Sequence, residues 1–230
     1  IQKIYALEDV LSEEVANAHK GMVIYQHDLE KAPIGQHNCL NIDFKKLFEE
    51  GFETRNGDIR PPSTFSTACQ QMAVIFQCQS QVQFGGVGTV HIDFDLAPFV
   101  KRSFYKHYCE GLLWMTEDEI DNALWNHYGT EDLEKNLIEA MPSIDDKLFH
   151  KNSRAYDYAM HMLHKEMKQS AEALYHNLNT LESRAGSQVP FTSINYGRDT
   201  SVEGRMVTEA MLNASLAGIG RHHKTSIFPI

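Results

Sequence analysis

Between His27 and Asp43 the chain reads His-Asp-Leu-Glu-Lys-Ala-Pro-Ile-Gly-Gln-His-Asn-Cys-Leu-Asn-Ile-Asp. It joins a His27-Asp28 pair, a Pro33-Ile34-Gly35 turn and a thiol at Cys39 set among Gln36, His37 and Asn38. A cysteine flanked by groups that hydrogen-bond or carry a proton can do proton or redox chemistry. The competing reading is a small buried hydrophobe, the usual fate of a free cysteine. A catalytic thiol also needs partners in space, which spacing alone does not supply. The alternation Leu40-Asn41-Ile42-Asp43 predicts a short half-buried strand, with Cys39 at its start. Met22-Val23-Ile24-Tyr25 predicts a buried strand leading into His27, which then serves as a hydrogen-bonded structural residue or as a proton donor.

A second group lies at Pro61-Pro62-Ser63-Thr64-Phe65-Ser66-Thr67. Two prolines and a hydroxyl residue open a helix well. Helix N-termini present free N–H groups and the positive end of a dipole, so Ser63, Thr64, Ser66 and Thr67 either cap the helix or help it hold a phosphate. Gly85-Gly86 with Gly88 reads as a helix end or as a close approach of backbones. Of the basic residues Lys101, Arg102 and Lys106, Lys106 is the candidate nucleotide contact. His161 and His164 have no third ligand in view and read as a solvated helix face, so no metal site is assigned.

The elements that position these residues follow from periodicity. An acidic helix is expected over 8–19, ended by Gly21, and another over 44–51, closed by glycine. Residues 63–84 form a helix without one charged residue but rich in glutamine, which suits an interface that is buried yet hydrogen-bonded. A helix over 95–108 carries Pro98 in its first turn. From 152 to 184 the apolar positions Tyr156, Met160, Leu163, Met167, Ala171, Leu174, Leu178 and Leu181 make a near-heptad seam. That helix should run roughly 50 Å and pack lengthwise on another. A strand ending at Gly197, a helix from Asp199-Thr200-Ser201 to Leu216 and a strand over 225–228 predict a parallel crossover unit. The acidic stretch 109–150 reads as short surface helices.

Composition sets the outer limits. The 230 residues are 42% hydrophobic with net charge −10, which allows a substantial core and argues against a nucleic-acid surface. No stretch reads as a membrane span or a signal peptide. Cysteines 39, 69, 78 and 109 make neither a CxxC pair nor a zinc framework, and reduced thiols in a cytoplasmic protein are expected. The opening Ile1 and the apolar end Ile227-Phe228-Pro229-Ile230 suggest the early part of a longer protein.

Six blocks in order carry a resemblance. They are His27-Asp28-Leu29 with Asn38-Cys39; Gly51-Phe52; Pro61-Pro62-Ser63-Thr64 with Ser66-Thr67-Ala68; Phe84-Gly85-Gly86; Pro190 through Gly197; and Ala217-Gly218-Ile219-Gly220 with Lys224 through Pro229. Together they look like the catalytic subunit of anaerobic (class III) ribonucleoside-triphosphate reductases. The likeness is strong over 21–107 and 187–230 and weak over 108–150. It implies an α/β fold, the first part of a ten-stranded α/β barrel with long interface helices, and makes residues 1–230 a partial catalytic barrel domain.

It further implies reduction of ribonucleoside triphosphates by glycyl and thiyl radical chemistry, with formate as reductant. Cys39 resembles the second active-site cysteine, acting at C2′ of the ribose. His27, Asn38, Ser63, Thr64, Ser66 and Asn195 become candidate substrate-binding residues. Gln77 and Lys106 become candidate contacts of a dNTP effector. Implied partners are a second copy of the chain and a radical-generating activase that uses S-adenosylmethionine and an iron-sulfur cluster. The family's thiyl-loop cysteine, radical glycine, zinc-binding cysteine pairs and ATP-cone do not fall within these residues, so the fragment alone is expected to be inactive. An acyl-lyase glycyl radical enzyme and a non-catalytic nucleotide-binding or dimerisation module are the alternative readings.

Overall fold

Helix dominates because three long segments share one apolar face. The computed structural model describes residues 1–35, 38–54, 56–115, 132–184 and 186–229. In order these form α1 (Gln2–Tyr5), which runs into a wider turn at Ala6–Val10, then α2 (Glu13–Lys20), a tight turn at Leu29–Ile34, β1 (Leu40–Asn41) and α3 (Phe44–Glu50). The hairpin β2 (Phe52–Thr54) and β3 (Gly57–Ile59) leads to α4 (Phe65–Val82), β4 (Val87–Thr89) and α5 (Ile92–Leu112). Beyond these lie α6 (Leu133–Ala140), α7 (Lys147–His150), α8 (Ser153–Thr180), β5 (Thr192–Ile194) and α9 (Val202–Ala217).

The strands β1, β4 and β5 form a parallel sheet in that spatial order, with Leu40 opposite Val87 and Val87 opposite Thr192. Gly88 sits at the centre of it. A Cβ there would meet Ser193 Oγ at 2.5 Å, Asn41 Oδ1 at 2.9 Å and Ser193 O at 3.1 Å, so a larger residue would have to displace both neighbouring side chains.

The core lies between α4, α5, α8 and α9. Phe104, Tyr105, Tyr108 and Phe149 are buried against one another in edge-on and stacked pairs, and such pairs add about 0.5–1.5 kcal/mol each beyond burial. Where α5 crosses α8, Gly111 faces Ala155. A Cβ on Gly111 would lie 3.2 Å from Ala155 Cα, so small residues set the approach of the two helices.

Several expectations are revised. The segment Met22–Tyr25 is a turn, not a strand. Met22 takes φ 58°, and the amides of Val23 and Ile24 both donate back to Ala18 O, which leaves them unable to pair with a sheet. The expected 8–19 helix is broken at Ser12, whose side chain caps α2. α5 begins at Ile92, so Pro98 lies inside the helix rather than in its first turn.

Residues 225–228 make no strand. The amides of Ile227 and Phe228 donate to Asn179 Oδ1, and a single bridge joins Ile219 to Lys224. The parallel component is real but is built from β1, β4 and β5. The α8 seam is buried within the chain, against α4 and α5, with Leu163, Ala171, Leu174 and Leu178 at 0–1% exposure. At 28 residues, α8 runs roughly 42 Å. Of the acidic stretch, residues 116–131 lie outside the described residues, and the remainder supplies α6 and α7.

Candidate active site

Cys39 stands at the entrance to β1 because a backbone contact holds it there. Gly85 N–H donates to Asn38 O at 3.2 Å and Leu40 N–H to Gly86 O at 3.0 Å. A Cβ on Gly85 would meet Asn38 C and Oδ1 at 2.6 Å. Of the two readings of Gly85-Gly86, close backbone approach is the one realised. The thiol of Cys39 is exposed, whereas Cys69 is buried and Cys109 partly so. Burial pushes the Cys69 thiol well up and the Cys109 thiol up to about 12, which keeps both protonated and inert. Cys78, also exposed, lies on α4.

A chain of side chains reaches Cys39. His27 Nδ1 lies 2.6 Å from Asp28 Oδ2 and 2.8 Å from Asn38 Nδ2, and Cys39 Sγ lies 3.7 Å from Asn38 Oδ1. An imidazole nitrogen carries a hydrogen or a lone pair, not both. With the lone pair, Nδ1 accepts from the Asn38 amide, and Cys39 donates its S–H to Asn38 Oδ1. With the hydrogen, Nδ1 donates to the Asp28 carboxylate. The Asn38 amide then turns over, offering oxygen to the ring and an N–H to the sulfur. One amide thus bridges the ring and the thiol.

The other expected substrate contacts do not join this cluster. Thr64 and Thr67 cap α4 reciprocally: Thr67 N–H donates to Thr64 Oγ1 at 3.2 Å, and Thr64 N–H to Thr67 Oγ1 at 2.9 Å. The Phe65 amide donates to Ser103 Oγ at 2.9 Å and the Ser66 amide to Glu166 Oε1 at 2.9 Å. A carboxylate of the same chain therefore sits where a phosphate was expected. Asn38 and Cys39 lie just beyond the opposite end of α4. Its 18 residues put Ser63, Thr64 and Ser66 roughly 27 Å away. Asn195 is exposed at the far end of β5, its backbone bonded to Thr89 and Ile92.

The chain matches the family model for anaerobic ribonucleoside-triphosphate reductase over residues 1–230. It belongs to that family. Among relatives, the anaerobic ribonucleoside-triphosphate reductase of Escherichia coli K12 is 32% identical over all of this chain and 27% of its own length. That of Enterobacteria phage T4 is 29% identical over 94% of this chain and 30% of its own. The chain thus spans little more than a quarter of the relatives it matches. A crystal structure of the anaerobic ribonucleotide reductase from Thermotoga maritima, in complex with dATP and CTP, is similar at 16% identity and TM-score 0.46, over 92% of this chain and 31% of that one. Membership of the reductase family removes the acyl-lyase alternative.

In this member of the family the two expected effector contacts are also apart. Gln77 Nε2 lies 3.5 Å from Asn177 O of α8. Lys106 lies 4.0 Å from Glu110, beside His107, which bonds Glu166 of the same helix. The eleven residues from Glu166 to Asn177 span roughly 16 Å.

Sequence reading missed the Glu166 cluster, since its members are 63 and 100 positions from Ser103 and Ser66. The one available signal was Glu166 and His107 on helices otherwise rich in apolar residues. His107 Nε2 is 3.0 Å from Glu166 Oε2, and its Nδ1 is 3.0 Å from Glu110 Oε2. The hydrogen bond to Glu166 holds His107 above the usual imidazole range, against the opposing effect of burial. Burial raises Glu166, but His107, the Ser66 amide and Ser103 together bring it below the usual carboxylate range.

The signs give a window. A raised His107 stabilises fully below its ordinary value of 6.5 and loses this as pH rises through its folded value. A lowered Glu166 stabilises fully above its ordinary value of 4.5 and loses this as pH falls through its folded value. The Tm difference between the native protein and His107→Gln should peak between these two ordinary values and shrink on both sides. A difference flat with pH would show that the pair is not ionised in the fold.

Proposed function

We propose that this chain is part of an anaerobic ribonucleotide reductase and supplies one of its active-site thiols, Cys39. The observation that carries the reading is an exposed thiol at a hydrogen-bonded strand entrance, in contact with Asn38 and through it with His27 and Asp28. The reaction is the conversion of ribonucleoside triphosphates to deoxyribonucleoside triphosphates, with formate as reductant. A glycyl radical, installed by an activase using S-adenosylmethionine and an iron-sulfur cluster, would supply the hydrogen-abstraction chemistry. The residues of this chain bind, orient and move a proton: Cys39 presents its S–H to the ribose, Asn38 positions the sulfur, and His27 takes up or returns the proton.

In this reading residues 1–230 are part of a catalytic domain built on a ten-stranded α/β barrel, and the β1-β4-β5 sheet is its first portion. The complete enzyme works as a cytoplasmic homodimer under control of a bound dNTP. Reduced thiols support that setting, and no helix among the described residues is long and apolar enough to cross a membrane. With Gln77 and Lys106 so far apart, at most one of them contacts the effector's base. The test is turnover by the full-length protein with an activase, S-adenosylmethionine and formate under anaerobic conditions. Deoxyribonucleotide formed from CTP is the expected product. Full radical activation with no deoxyribonucleotide from any ribonucleotide would overturn the assignment.

A further inference from the structure

At Gly86 and Gly88 the central strand of the sheet has no side chain to offer one of its two faces. Asn41, Gly88 and Ser193 lie side by side in the register, and one step earlier the same register sets Cys39 and Phe191 on either side of Gly86. Side chains alternate between faces along a strand, and the intervening Val87, Thr192 and Ile194 are buried in the core. The face carrying Asn41, Gly88 and Ser193 is therefore the open one. With neighbouring strands about 4.8 Å apart, its two walls stand roughly 10 Å from each other across a glycine floor.

The two glycines differ in what lies above them. Over Gly88, Ser193 Oγ and Asn41 Oδ1 lean in, to 2.5 and 2.9 Å from where a Cβ would sit. Over Gly86, among the described residues, a Cβ would meet only Phe191 O at 3.5 Å, an ordinary contact, and the Gly86 backbone is not in the left-handed region. Neither packing nor conformation therefore demands glycine at 86. The trough is open beside Cys39 and closed one step further on by two neutral polar side chains. Among the described residues, neither of these side chains makes a hydrogen bond. On the far wall Phe191, 40% exposed, is held in place: Arg184 lies 3.9 Å and Phe228 5.3 Å from its ring centre, and Asn179 Oδ1 accepts from the Phe228 amide at 3.0 Å. Cys39, Asn41, Phe191 and Ser193 include no charged group, which suits hydroxyls and an apolar ring edge rather than a phosphate.

We propose that Gly86 is a specificity-determining residue: its missing side chain leaves a slot for the sugar ring of the substrate between Cys39 and Phe191, and Asn41 and Ser193 close that slot by hydrogen-bonding the sugar hydroxyls. This rests on the reductase reading, and it gives the contact with the sheet to the sugar rather than to the base or the phosphates.

Protection of Cys39 from iodoacetamide, mapped by peptide mass spectrometry in the full-length protein before radical activation, reads occupancy of the slot without turnover. Cys78, also exposed, is the internal reference. CTP should protect Cys39 in the native protein and leave Cys78 unchanged. Gly86→Ala and Gly86→Val should keep the native melting curve, since a Cβ at 86 meets no crowding. The CTP concentration giving half protection should rise about tenfold or more for Gly86→Val, and less for Gly86→Ala. Asn41→Ala and Ser193→Ala should each reduce the preference for CTP over dideoxy-CTP, which lacks both ribose hydroxyls, by about fivefold. A half-protection concentration unchanged by Gly86→Val, or by Gly86→Ala should the valine variant not fold, would overturn the slot while leaving the reductase reading in place. A preference unchanged in both the Asn41 and the Ser193 variant would overturn the hydroxyl contacts. CTP that leaves Cys39 of the native protein unprotected would instead remove the reductase reading, and the slot with it.

Discussion

Cys39→Ser in the full-length reductase should lower deoxyribonucleotide formation by about 10²-fold or more, the usual scale for losing a positioned proton-transfer group. The melting temperature should barely move, because the side chain is exposed and substitutions at such sites stay within about 0.5 kcal/mol. Serine keeps the shape and a donor but not the acidity or the redox reactivity of the thiol. The paired measurement is turnover and melting on the same preparation. Lost stability with retained specific activity would return Cys39 to a structural role. Cys78→Ser is the internal control, since that thiol is also exposed but lies on α4; its turnover should equal that of the native enzyme.

Leu174→Lys should prevent folding. Leu174 is 1% exposed in the seam of α8 against α4 and α5. The substitution removes a packed side chain and puts an ammonium in its place, at a combined cost of at least about 4 kcal/mol. That is a large share of the roughly 5–15 kcal/mol by which domains are stable. The sequence pattern alone would send this substitution to a dimer interface, where it would split the assembly and leave folded subunits. The two outcomes separate by circular dichroism and sedimentation. A folded monomer would show that the α8 seam belongs to another copy of the chain, whereas an unfolded or aggregated product is expected.

Local chemistry was legible in the sequence wherever the physics is local. The Pro-Pro-Ser-Thr entry to α4, the capping of α9 by Ser201 and the glycine stop at Gly51 fell where hydroxyl and glycine rules place them, whereas Asp43, read as part of a strand, caps α3. The seam of α8 was readable as a seam, but not whose surface it meets, because periodicity defines a face and not its partner. Met22–Tyr25 misled because an apolar run of four fits a strand and an exposed turn equally well. The Cys39 cluster was half legible: Asn38 and Cys39 are neighbours, whereas His27 reaches them only across the turn at Leu29–Ile34. At Ser63–Thr67 the competitor of a phosphate lay beyond local sequence. The Ser66 amide donates to Glu166, on a helix 100 residues away.

The order of the sheet bears on how the chain is made. β4 must wait for β5, about a hundred residues later, to pair along its other edge. The helices α4, α5 and α8 are all synthesised by Thr180, and they share Glu166 and most of the aromatic packing. A nascent chain stalled after Thr180 therefore already holds the means to build its helical layer, with β4 exposing one unpaired edge until Ile194 leaves the ribosome. Long-separation pairings form late and slowly, and an unpaired strand edge is a point of self-association. Vulnerability to aggregation during synthesis should thus be concentrated in the interval between α8 and β5.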